Sequence, residues 1–499
     1  KIAGSPFSSF RDIEPDLPLP RLTRSGLPLI IKLGDRSAIV RGSLTVIRYW
    51  LSLSSLYRVL KGEVKPKLNT ITDPFSGDLN KLHDFKKFLW LNSKRLLTSF
   101  APHFDLTKLN TSSILPIEKS SPSSKVSWKG LIFDIHSLHN SNINNSVLKY
   151  LSLTRNKILL RLYHYCWTIK PVQFDDYKGN NLGQLSFKEE AAGKLRVFAM
   201  VDVFTQSMLK PLHDYLFEIF KKLPNDGTHD QSKAFDLAQH LALKYNQSFG
   251  FDLSSATDRL PVSVQSYFLT IIFGKSIGKY WQDILTSRSY FIPKNDYGLK
   301  SEYINYSVGQ PMGALSSWAM LDMIHHMMVQ YCAARVFGFN KPWYSDYVIL
   351  GDDLVIFDSK VADEYLALCD GLGVSINLSK SVIAKDRPVV EFAKRTGFKG
   401  HDVSALSFKD FISNNNFFGR LSITSRLISR SWGSSNLLLF IFGNKDKYNT
   451  RLSYPIIGYL AQLVEKGSLS YENLLSVLLD SNKPLSYFGR KIESFDKSK

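Results

Sequence analysis

With 499 residues, 44% of them hydrophobic and 21% charged, the chain has enough apolar material for several domain-sized units and is excluded from the disordered class. Its formal charge of +19, spread along the whole length and mixed with 13% aromatic residues, points to a polyanionic partner and suits single-stranded nucleic acid stacked along a groove. The longest apolar runs, such as 437–442, are too short to span a bilayer, and Cys166, Cys332 and Cys369 lie too far apart for a disulfide framework or a zinc motif, which favours a reducing compartment.

In chain order, residues 1–30 are rich in Pro and Ser and read as an extended arm. The sequence begins at Lys1, so the native start is expected upstream; no secretory signal or Arg/Ser-rich transit segment is visible. Helical spacing follows at 38–60 and 79–99, where Leu82, Phe85, Leu89 and Leu96 share a face. Residues 111–125 (TSSILPIEKSSPSSK) have two prolines, seven Ser or Thr and no apolar period, and read as a linker closing an N-terminal extension. Residues 146–170 again have helical spacing. Beyond about 180 the pattern is mixed. Strand-like runs occur at 249–253, 347–350 and 354–357, and helical stretches at 204–222, 260–273, 316–337 and 360–370. The last has Ser359 as a possible N-cap and Gly371 as a stop. After about 400 the chain reads as mostly helical. The expectation is an α+β core with helical additions at both ends.

Six segments carry chemistry. The first, SFKEEAAGKLRVFAMVD (186–202), sets Lys188, Lys194 and Arg196 around a flexible Gly193; alone it fits a solvated basic stretch equally well. The second, SFGFDLSSATDRLP (248–261), runs from an apolar strand into Asp252, then a turn with Asp258 before a helix. Such an arrangement aims a carboxylate at a ligand, although its Ser, Thr and Asp residues are also common helix caps. The third, SVGQPMGALSSWAML (307–321), has Gly309 and Gly313, then Ser316 and Ser317 at a helix start. Its glycines would let a nucleic-acid backbone approach closely. The Met320, Ile324, Met327, Tyr331 stripe that follows is core packing, and the adjacent His325 and His326 must point apart on a helix, which disfavours a joint metal role.

The fourth, YVILGDDLVIFD (347–358), reads as a tight hairpin with Asp352 and Asp353 at its tip. An ordinary turn also favours Gly and Asp, but two adjacent acids repel unless a proton or a cation compensates, and a divalent metal would do so. The fifth, GVSINLSKSVIAK (373–385), places Lys380 beyond the helix that follows. The sixth, VVEFAKRTGFKG (389–400), reads as another hairpin carrying Lys394 and Arg395. Taken singly, the basic residues of these last two fit ordinary exposed positions.

The series, in this order between about 186 and 400, resembles the motif order of viral RNA-dependent RNA polymerases. The wording FDLSSATDRLP, GQPMGALSSWAML and ILGDD is most similar to the mitoviruses, and the six-residue step from Asp252 to Asp258 also resembles RNA-phage replicases. The resemblance implies a right-hand polymerase with an N-terminal extension (1–125), fingers (126–245), palm (246–265), a fingers insertion (266–305), further palm (306–400) and a mostly helical thumb (401–499). It implies Asp252 and Asp352 as ligands of two Mg²⁺ (or Mn²⁺) ions, with Asp353 alongside. Asp258 with Ser316 or Ser317 would sense the ribose 2′-hydroxyl, with Gly309 and Gly313 shaping that loop. Lys194 and Arg196 would hold the triphosphate, with Lys188 as a lesser candidate. Lys380 would protonate the leaving pyrophosphate, and Lys394 and Arg395 would grip the primer. The implied partners are an RNA template, nascent RNA and ribonucleoside triphosphates, and the implied location is the mitochondrion. The helix after the glycine loop departs from many families in lacking an asparagine, with Ser317 in its place. Two alternatives remain: a reverse transcriptase, disfavoured by Gly351 and by Asp258 in place of a bulky gate, and a catalytically inactive RNA-binding relative, disfavoured by the intact acids.

Overall fold

Two short runs of β-branched and aromatic residues, YVIL and DLVI, pair as an antiparallel hairpin, β6 (Tyr347–Leu350) and β7 (Asp353–Ile356). The other strands that build the site are β1 (Gly183–Glu190), β2 (Lys194–Val201), β3 (Ser248–Asp252), β4 (Tyr290–Phe291), β5 (Tyr303–Ile304), β8 (Val382–Ala384), β9 (Val389–Phe392) and β10 (Arg395–Phe398). A computed structural model describes residues 21–408, except 24–25, 61, 63, 65, 102–103, 111–112, 173, 191–192, 275 and 378–379, together with 486–487 and 490–491. Residues 1–20 of the expected arm and most of the segment expected to be a thumb lie outside the described residues, as does the apolar run 437–442. The described part is α+β. The chain divides into two compact units, residues 1–44 with 61–403, and 45–60 with 404–499. In the smaller unit, the Leu406 N–H donates to Ser52 Oγ at 2.9 Å.

The central sheet of the larger unit has the order β6-β7-β3-β8, all neighbours antiparallel. The two-residue period of a strand sorts the side chains. Tyr347, Ile349, Leu354 and Ile356 enter the main core, while Val348, Val355 and Phe357 join Phe235, Ala238, Val390 and Phe392 in a second one. Both faces are therefore covered, which is why these strands read as continuous apolar runs. The main core is organised around the helix Ser317–Phe337, which packs against the helices Leu79–Leu97, Val203–Phe220, Val262–Phe273 and Ser359–Gly371. It is buried on all sides through most of its length, including Asp322, His325, His326 and Gln330.

Several sequence expectations change. The Ser-rich stretch expected as a linker is folded into the unit: Ser121, Ser123 and Ser124 are buried, and Ser123 donates its hydroxyl to the buried Asp134 at 2.5 Å. Hydrogen bonding among the serines and to Lys178 substitutes for the missing apolar period. The 146–170 stretch is two helices, Asn144–Leu153 and Lys157–Thr168, because Arg155 takes a left-handed conformation and Asn156 caps the second. The helix after the acid hairpin is capped by Asp358 rather than Ser359, its carboxylate accepting from the Val361 N–H at 3.0 Å, and it runs through Gly371.

Candidate active site

The strand β3 ends in Asp252 and β7 begins with Asp353, and the antiparallel register sets these two residues directly opposite each other. Leu350 pairs with Asp353, leaving Gly351-Asp352 as a two-residue loop with positive φ (63°) at its glycine, as a type II′ hairpin requires. The Asp352 carbonyl reaches back to accept the Leu253 N–H at 3.4 Å. The register thus brings together three acids drawn from segments about a hundred residues apart.

Their charges are crowded. Burial raises the Asp353 pKa to about 7, with Asp352, Asp252 and Glu391 adding to the effect against one backbone hydrogen bond from Ala393. Asp352 has exposed surface, yet the dense protein around the tip desolvates its carboxylate and raises its pKa, as does the Asp252 charge; Lys194 and Arg196 oppose this. Lys380 places its ammonium nitrogen 3.4 Å from Asp252 Oδ2. A donor set of carboxylates that can be ionised together only with compensation fits hard divalent cations.

The loop carrying Asp352 is held from behind by the helix Ser317–Phe337. The Gly351 N–H donates to Asp322 Oδ1 at 2.8 Å, and the Gly351 carbonyl lies 2.6 Å from His325 Nδ1. Burial lowers the His325 pKa to about 4, so the imidazole is neutral. A carbonyl can only accept, which puts the single ring proton on Nδ1 and leaves Nε2 to accept from the Tyr365 hydroxyl at 2.6 Å. The two histidines do point apart: His326 contacts the Tyr347 hydroxyl at 2.8 Å and Asp226 Oδ2 at 3.1 Å. Asp226, Asp322 and His326 lie close enough to hold a metal ion. Their groups are already met by protein donors. Burial and the Asp226 charge push the Asp322 carboxyl well above its usual range, whereas His326, Asp322 and the Thr228 N–H draw Asp226 below it against its own burial.

The basic motif is the hairpin β1–β2, in which Lys188 pairs with Arg196 and Glu190 with Lys194. Arg196 spans the strands to Glu190, Nε to Oε1, at 2.9 Å. The charges of Lys194 and Arg196 act on Asp352, and that of Lys394 acts on Glu190 at the end of the first basic hairpin. The Ala393 N–H donates to Asp353 Oδ2 at 2.9 Å and ties the β9–β10 turn to the same cluster.

Other expected residues are placed differently. A side chain at Gly309 would collide with the backbone of Thr257 and Asp258, and one at Gly313 would lie 2.5 Å from the Ala199 carbonyl. The close approach these glycines permit is to the protein's own backbone rather than to a nucleic acid. Ser316 is fully buried in a left-handed conformation, with its hydroxyl accepting from the Trp281 indole at 3.0 Å, so it is not presented to a sugar. Ser317 is also buried, but its hydroxyl has no hydrogen-bond partner among the described residues. Arg395 is turned inward, donating to Asp402 Oδ2 at 2.8 Å and stacked 4.1 Å over Phe235; the exposed Lys394 is the basic side chain the turn presents. Asp258 is half-buried, and burial raises its pKa to about 6 against the Thr70 hydroxyl and Arg259. Asp322, Ala393 and Thr70 were not singled out from the sequence, and His325 was read only as pointing away from His326. A polar pair inside an apolar helix was the visible signal for Asp322 and His325, whereas nothing near Thr70 or Ala393 marks them.

The model of the family described as mitovirus RNA-dependent RNA polymerase matches residues 102–439. The chain is 33% identical over 417 residues to the RNA-directed RNA polymerase of Cryphonectria parasitica mitovirus 1, an alignment covering 79% of this chain and 48% of that protein. It is 34% identical over 195 residues to an uncharacterized mitochondrial protein of Arabidopsis thaliana, covering 38% of this chain and 75% of the other. The crystal structure of an insertion-loop deletion mutant of a human picorbirnavirus RNA-dependent RNA polymerase aligns over 89% of this chain and 90% of its own, at 13% identity and TM-score 0.48. The chain thus spans about half the length of the mitovirus protein it matches. It belongs to the mitovirus RNA-dependent RNA polymerase family.

Proposed function

We propose that this chain is an RNA-directed RNA polymerase that extends an RNA strand by nucleotidyl transfer. The observation that carries this reading is the meeting of Asp252, Asp352 and Asp353 at adjoining strand ends. Asp252 and Asp352 are the ligands of two Mg²⁺ or Mn²⁺ ions, with Asp353 alongside. Ions held there supply the Lewis acidity that activates a 3′-hydroxyl and neutralises the leaving phosphate oxygens. Lys194 and Arg196, with Lys188 as a lesser candidate, bind the triphosphate, a role supported by the charges of the first two acting on Asp352. Lys380, beside Asp252, donates a proton to the departing pyrophosphate. Asp258 and the unmatched Ser317 hydroxyl read the ribose, and Lys394 holds the primer strand.

In this reading residues 126–245 and 266–305 are fingers, 246–265 and 306–400 palm, 401–499 thumb, and 1–125 an N-terminal extension. The partners are an RNA template, the nascent RNA and ribonucleoside triphosphates. No helix among the described residues is long and apolar enough to cross a membrane. A mitochondrial location is supported by a relative named as a mitochondrial protein. Primer extension on a defined RNA with Mg²⁺ tests the proposal. Incorporation of ribonucleotides by the wild type, with at least ~10³-fold less by Asp352→Asn at similar RNA affinity, is the expected result. Preferred use of deoxynucleotides would indicate a reverse transcriptase, and equal synthesis by the variant would refute the metal assignment.

A further inference from the structure

One residue touching the Asp258 carboxylate comes from a part of the chain that carries none of the six motifs and precedes the span matched by the family model. Thr70, in the short helical turn Asn69–Thr72, donates its hydroxyl to Asp258 Oδ2 at 2.8 Å. The segment around it is fixed at several points. Arg259 donates to the carbonyls of Asp73 and Pro74, both at 2.8 Å, and to Ser76 Oγ at 3.3 Å. Ser307, just before the glycine loop, donates its N–H to the Ile71 carbonyl at 3.0 Å and its hydroxyl to the Thr72 carbonyl at 2.6 Å. Gly77 lies flush against the backbone of residues 371–373, and the Asp78 N–H donates to the Gly371 carbonyl at 2.8 Å. Residues 69–78 are therefore stitched to the Asp258 turn, to the glycine loop and to the end of the helix that follows the acid hairpin.

We propose that Thr70 is a positioning residue for sugar selection, aiming the Asp258 carboxylate at the 2′-hydroxyl of the incoming ribonucleotide. The proposal rests on the reading of Asp258 given above. A carboxylate swivels about its last bond, and a hydroxyl has one proton to give. Given to Oδ2, that proton fixes the carboxylate plane and leaves Oδ1 to accept from the ribose. A deoxynucleotide brings no donor, so a half-buried carboxylate oxygen goes unmet, and that deficit is the discrimination. Without the Thr70 hydroxyl the carboxylate can turn away, and the ribonucleotide loses part of its advantage while the deoxynucleotide loses nothing.

The test uses the full chain with Thr70→Val, which keeps the shape and removes the hydroxyl, and Thr70→Ser, which restores it. Single-nucleotide incorporation on a primed RNA gives kcat/KM for ATP and dATP. Thr70→Val is expected to lower the ATP-to-dATP ratio ~10-fold, chiefly through a higher KM for ATP, with Thr70→Ser within about twofold of wild type. An unchanged ratio in Thr70→Val overturns the assignment. So does a parallel loss of both nucleotides, which is what a merely structural contact would produce. A wild-type chain that incorporates neither nucleotide removes the polymerase reading itself, and the Thr70 assignment with it. Activity of the wild type on either nucleotide keeps the two failures distinguishable.

Discussion

At Gly351 two constraints coincide. Its φ of 63° lies in the left-handed region, and an added Cβ would sit 2.8 Å from the Trp318 indole nitrogen. Substitution by alanine is expected to destabilise the chain by at least ~1–2 kcal/mol, from the backbone conformation alone, and more if Trp318 must move. Chemical denaturation of Gly351→Ala against wild type measures this; equal midpoints would mean that the loop relaxes at no cost. Asp252, Asp352 and Asp353 were legible because strand-forming runs on both sides fixed their direction. Ser316 and Arg395 were misread because a sequence gives residue type without partner. A serine at a helix start and an arginine in a hairpin look available until Trp281 and Asp402 are found against them.

The elements behind the loop act as a unit. One helix supplies both Asp322 and His325, three positions apart, to the two polar groups of a single residue. The His325 pKa is depressed from its ordinary value to about 4, so its contribution to stability is fully present above about pH 6.5 and is lost as pH falls through about 4. Over that window wild type should lose roughly 3 kcal/mol that His325→Gln does not lose, read as the difference in unfolding free energy between pH 7 and pH 4. Parallel pH profiles would contradict a buried neutral imidazole. The existence of most of these elements could be read from apolar periodicity. The break at Arg155 and the burial of the serines at 121–124 could not, because both depend on local hydrogen bonds that leave no period in the sequence.

At the scale of the molecule, the basic excess belongs to the partner rather than to the fold. RNA affinity is expected to fall steeply with salt, by ~10³-fold or more between 50 and 200 mM if six or more phosphates are engaged. Fluorescence titration at several salt concentrations would reveal this, and a flat response would remove the polyanion argument drawn from the +19 charge. The fold class was readable at this scale because mixed strand and helix periods survive in the larger unit. The tie between residues 69–78 and the Asp258 turn was not, since it joins segments nearly two hundred positions apart through a single hydroxyl and a few carbonyls.

The central sheet is enclosed above by one core and below by another. Asp252 and Asp353 stand where the strands stop, and neither belongs to either core. Replacing those carboxylates by amides therefore leaves both hydrophobic clusters untouched, so the acids and the scaffold beneath them can be altered independently.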